Sequence, residues 1–165
     1  MKNHFKKQHG FSMIELLIYI SVISAATIIF TSFTADVVKR TARILNAKEV
    51  TQNSRLIAAR ISQEIKTAKS INALAGDEIT LTNFNNEQVT ISYDAANNLV
   101  ELTNPNGTIA ITNNKIRVTA LVFEQLTPEA VAFQMTVEQS NATAPKSLRY
   151  KLDFTTTVVP RPQLY

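Results

Sequence analysis

The strongest constraint on this chain is an apolar run from Phe11 to Phe33, FSMIELLIYISVISAATIIFTSF, 23 residues in which Glu15 is the single charge. As a helix rising 1.5 Å per residue, such a run is long enough to cross about 30 Å of hydrocarbon. A secretory signal would have a basic head, an apolar core of roughly 7–15 residues and a small-residue cleavage site after it. The basic head is present in Lys2, Lys6 and Lys7, but the core is too long, and Ala25-Ala26 leads into more apolar residues. Length alone therefore reads as an uncleaved membrane anchor. The three lysines hold its amino end on the cytoplasmic side, with the remainder outside that membrane.

Glu15 shifts that balance. An ionised carboxylate at the centre of a spanning helix costs roughly 2.5–3.5 kcal/mol on insertion scales, and less near an interface. It is either an acid close enough to the interface to reach water, or a charge kept because it meets a partner. A cut after Gly10 would give Phe11 a free amine one helical turn from Glu15. Amine and carboxylate could then pair between packed copies in the low-dielectric membrane.

With the basic head, Gly10, and the Phe11-Ser12-Met13-Ile14-Glu15-Leu16-Leu17 that opens the apolar helix, the amino terminus resembles that of type IV pilins and type II secretion pseudopilins. The resemblance covers about 25 residues closely, in position, order and hydropathy. It implies that a prepilin peptidase cuts after Gly10 and methylates Phe11, and that Glu15 recruits an incoming subunit to a growing filament. The implied partners are that peptidase/methyltransferase, other pilin or pseudopilin subunits, an inner-membrane assembly platform and membrane lipid. No cofactor or metal is implied.

Composition narrows the chemistry. The 165 residues leave room for a stem helix and one modest domain. Cysteine is absent, and both histidines, His4 and His9, precede the expected cut. A cut chain would lack Ser-His-Asp and Cys-His nucleophile systems and nearly every zinc site. No spacing singles out a carboxylate pair, so no catalytic residue is assigned and the chain reads as a non-enzyme. The formal charge of +4 and pI near 9.4 invite a nucleic-acid reading, but the leader lysines supply +3 of that charge.

Residues 11–75 contain no proline or glycine, and the apolar pattern continues through Val37, Val38, Ile44, Leu45, Val50, Ile57, Ile61, Ile65, Ala68 and Ile71. From Val50 the steps of 3, 4 or 7 residues predict an amphipathic helix with one buried stripe, reaching about Ser70. Eight Lys/Arg against three Asp/Glu give this stem +5, with no aromatic residue beside the cations to stack on bases. The plain reading is a solvated helix face; anionic head groups or an acidic neighbour are the functional ones.

Beyond Gly76 the period changes to two. Strands are expected at 78–82, 88–93, 98–102, 108–111, 116–125, 130–139 and 148–158, with turns at Asn83–Asn86 and at Asn104-Pro105-Asn106-Gly107. Residues 70–165 carry six Lys/Arg and nine Asp/Glu, net −3, which argues against a non-specific nucleic-acid platform. Two Asn-X-Thr triplets, at Asn106 and Asn141, are common enough by chance to carry little weight. The expected fold class is α+β and pilin-like: one long amino-terminal helix packed on an antiparallel sheet. The expected divisions are a leader at 1–10, a membrane half at 11–33, a stem at 34–72 and a sheet domain at 73–165. The sequence reads best as a minor pilin or minor pseudopilin in the cytoplasmic membrane, passing into a filament on assembly. A major pilin and a filament-borne adhesin or DNA-uptake module are the competing readings.

Overall fold

The computed structural model describes residues 11–127, 130–140 and 149–160. One helix, α1, runs unbroken over Met13–Thr67, consistent with the lack of proline and glycine. Eight strands follow: β1 (Ser70–Ala75), β2 (Glu78–Thr82), β3 (Gln88–Asp94), β4 (Leu99–Asn104), β5 (Gly107–Ala110), β6 (Ile116–Thr127), β7 (Ala130–Gln139) and β8 (Lys151–Val158). The chain divides into two compact units, one ending at Thr41 and the other beginning at Ala42. In the first, every described residue belongs to α1 or the two residues before it, and all are exposed.

The second unit holds the core. From Ala42 onward, α1 buries Val50, Ser54, Ile57, Ala58, Ile61 and Ile65, a stripe spaced by three and four. That stripe shares one apolar cluster with Ile79, Leu81, Val89, Ile91, Val100 and Leu102 of β2–β4 and with Val118, Leu121, Phe133, Met135 and Val137 of β6 and β7. The hydroxyl of buried Ser54 donates to the Val50 carbonyl at 2.8 Å or less, at 2.7 Å, so its polar atom is not orphaned. The fold is α+β.

The expected single sheet is instead two antiparallel sheets, with orders β1-β2-β3-β4-β5 and β6-β7-β8. The first is a meander of tight hairpins in which Ile79 faces Ile91 and Ile91 faces Leu102 across the strands. β6 does not continue it. Its Val118 N–H donates to the Asn98 carbonyl and its Phe123 N–H to the Gly76 carbonyl, both in hairpin loops at one end of the meander. Those bonds tie the second sheet to loops of the first rather than to a strand edge. In the β1–β2 loop, Gly76 takes φ +47°, a left-handed conformation that glycine adopts without steric cost.

The helix also stops earlier than its apolar spacing implies. Ala68 and Lys69 leave it, and the Lys69 N–H already donates to Thr82 at 2.7 Å. Ile71 and Leu74 lie in β1, opposite Leu81 and Ile79. A register shift between Ile71 and Ala73 inserts Asn72 as an extra residue. The bulge puts residues three apart against the same partner strand, so a strand here mimics helical spacing.

Core packing around Phe133 is dense: its ring centroid lies 6.0 Å from that of Phe123 and 6.4 Å from that of Phe154. Phe133 is 0% exposed, whereas Leu56 on the other side of α1 is 68% exposed. Phe133→Ala is therefore expected to cost about 3–5 kcal/mol by denaturant unfolding, and Leu56→Ala no more than about 0.5 kcal/mol. Comparable losses from both would contradict this placement of the core.

The β3–β4 loop supplies a pH-dependent contact. Asp94 accepts the Asn97 side-chain amide at 2.6 Å and the backbone N–H groups of Ala96 at 2.8 Å and Asn97 at 3.2 Å. The Asn97 side chain, then the two backbone donors, hold the carboxyl below its ordinary value, against a small opposing effect of burial. Neighbouring Tyr93 is pushed up, by burial first and by the Asp94 charge second. For a lowered carboxyl, the stabilising contribution is present above the unfolded pKa and disappears as pH falls through the folded one. The stability gap between the parent protein and Asp94→Ala should therefore exist at neutral pH and close below about pH 4. A gap that persists at pH 2 would assign the effect to something other than the carboxylate.

Candidate functional site

The site is built on the first unit, residues 11–41. Helix α1 opens with the Leu16 N–H donating to the Ser12 carbonyl at 3.1 Å, and Glu15 lies in its first turn. A negative charge there is favourable to the helix dipole, by about 0.3–1 kcal/mol in water. That contribution alone is small beside the cost of burying a carboxylate in hydrocarbon.

An 18-residue window of α1 has mean hydropathy 2.2, and none of it is buried within the protein. Met13 is 86% exposed and Phe30 72%. A continuous apolar surface of this size is far beyond what isolated proteins present to water. Both length and composition fit a membrane anchor, with packing against other apolar helices as the alternative cover.

The polar atoms of the run are arranged for that setting. Ser21, Ser24, Thr27, Thr31 and Thr34 each donate a hydroxyl to the carbonyl four residues earlier, at 2.7–2.8 Å, and Ser32 does so at 3.2 Å. Six hydroxyls thus enter an apolar helix without unpaired donors, the condition hydrocarbon imposes.

Of the residues singled out from sequence, Phe11 and Glu15 are seen directly; Gly10, Lys2, Lys6 and Lys7 lie outside the described residues. Glu15 is exposed on the helix surface and accepts a hydrogen bond from the Tyr19 hydroxyl at 3.3 Å. The Phe11 ring meets the Tyr19 ring edge-on, with centroids 6.0 Å apart and planes at 69°. Sequence reasoning missed Tyr19. The signal was its place four residues after Glu15 and eight after Phe11, on one helix stripe.

The second unit offers shallow hollows. One of about 590 Å³ lies between α1 and β8, with Arg55, Gln63 and Lys66 around Ala58, Ala59 and Phe154. It brings together cations and small apolar groups, not a nucleophile and a base. Among the described residues no three His, Cys, Asp or Glu side chains are gathered where they could hold a metal ion. Part of the basic stem is tied up in ion pairs, Arg60–Glu64 at 2.9 Å and Lys115–Glu49 at 3.0 Å.

Residues 5–31 match the prokaryotic N-terminal methylation motif. By this segment the chain belongs to the type IV pilin and pseudopilin family. The matched stretch takes in the basic head, Gly10, Phe11, Glu15 and most of the apolar helix. The motif implies processing by a prepilin peptidase and assembly with other pilin-type subunits. No curated protein and no solved structure matches the chain at a significant level.

For a pilin-type subunit with this exposed helix, a chain beginning at residue 34 should leave the membrane fraction and behave as a soluble monomer in gel filtration. Filaments formed by that truncated chain would show that the apolar helix is not the assembly surface.

Proposed function

We propose that this protein is a minor subunit of a type IV pilus or of a type II secretion-like pseudopilus, acting in its priming, assembly or tip. Residues 1–10 would serve as a leader, removed after Gly10, and Phe11 would become the methylated amino terminus. Lys2, Lys6 and Lys7 would keep the leader cytoplasmic until the cut. The observation that carries this reading is an exposed apolar helix whose one charge, Glu15, lies a turn from Phe11 in a matched methylation motif.

The mechanism follows from electrostatics in a medium of low dielectric. Apolar helices leaving lipid gain little from the exchange, so their packing register needs a specific term. A carboxylate that meets the Phe11 amine of a neighbour supplies that term, because every other register leaves a charge unpaired. The unbroken helix, without a proline or glycine to unwind it, supports a minor or tip subunit over a bulk one. The net charge of −3 over residues 70–165 weighs against a DNA-binding sheet.

The amino-terminal mass of the protein from its native membrane tests the processing step. The expected chain starts at Phe11 and carries one added methyl group. Gly10→Ala is expected to leave the leader attached, because the cut site accepts no larger side chain. A chain starting at Met1, or normal cleavage of Gly10→Ala, would remove the leader assignment and the filament mechanism with it.

A further inference from the structure

We propose that Tyr19 is a positioning residue for Glu15: its hydroxyl holds one carboxylate oxygen within the subunit and leaves the other for a neighbouring chain's amine. This rests on the assembly reading above and adds the group that orients its central acid.

Phe11, Glu15 and Tyr19 are spaced by four and share one helix stripe. Long side chains on a helix lean toward its amino terminus, so the Tyr19 ring lies over the turn that carries Glu15. There its hydroxyl reaches Glu15 Oε1 at 3.3 Å, and its ring receives the edge-on contact of Phe11 at 6.0 Å. One side chain therefore touches both members of the proposed pair, the acid by a hydrogen bond and the amine-bearing residue by its ring.

Two consequences follow. An ionised carboxylate accepts through two oxygens and has no water to turn to in hydrocarbon, so a donor within the same helix lowers the cost of holding it there. The same bond draws the carboxylate toward the carboxyl-terminal side, away from the subunit's own amino end. Oε2 is left to an amine arriving from another subunit, and pairing within one chain is disfavoured. A ring without the hydroxyl would keep the contact with Phe11 and lose both effects.

The test uses Tyr19→Phe and Glu15→Gln in the full-length chain, expressed with its assembly machinery. Tyr19→Phe should be cleaved normally and enter filaments about tenfold less than the parent protein, the weaker end of what a hydrogen bond to a charged group contributes. A second readout is independent of assembly. In lipid vesicles, Glu15→Gln should shift the tyrosine hydroxyl infrared band of the parent protein and leave the spectrum of Tyr19→Phe unchanged. Parent-level filament entry by Tyr19→Phe, with a tyrosine band indifferent to Glu15→Gln, would overturn the positioning role. Parent-level entry by Glu15→Gln itself would overturn the assembly reading instead.

Discussion

A helix that leaves 23 apolar residues uncovered must find its burial outside its own chain, in lipid or against other helices. That requirement accounts for the local chemistry of the first unit. Backbone donors are spent within α1, hydroxyls fold back onto carbonyls, and the single carboxylate has a tyrosine beside it. Each removes a polar cost that water would otherwise cover. What is left over is Glu15's remaining acceptor capacity. In a surface otherwise without charge, it is the one feature able to distinguish one packing register from another.

The second unit solves a different problem. Only 26 residues of α1, from Ala42 to Thr67, belong to it, and their buried stripe closes two small sheets into one cluster. Neither sheet is wide enough to make a core alone. The helix stripe, with Ile57, Ile61 and Ile65 almost fully covered, is the shared face that lets them do so. The Val118 and Phe123 backbone bonds to hairpin loops then hold the second sheet to the first without a continuous ladder.

Chemistry is sparse in this second unit. Its charges lie in surface ion pairs such as Arg60–Glu64 and in loop contacts such as Asp94 with Asn97. Exposed pairs of this kind contribute little each, about 0–1 kcal/mol. Their effect is on solubility and loop shape more than on the total stability, which rests on the apolar cluster. A subunit that presents such a domain from an apolar stem has its specific chemistry concentrated at the stem's amino end.

Much of this was legible in the residues. Hydropathy and the absence of helix breakers determined the membrane-length helix, because backbone hydrogen bonding in hydrocarbon leaves a helix as the available form for one such segment. Period-two alternation placed seven of the strands, and the spacing of Gly10, Phe11 and Glu15 located the assembly site. The tertiary structure alone decided the rest. β1 was hidden because the bulge at Asn72 gives a strand the three-residue spacing of a helix. The split into two sheets was hidden because strand pairing depends on partners far along the chain, such as Gly76 and Phe123. Tyr19 was passed over as one more apolar residue in the run. Its bond to Glu15 follows from the lean of side chains on the helix, which residue order contains but hydropathy does not record.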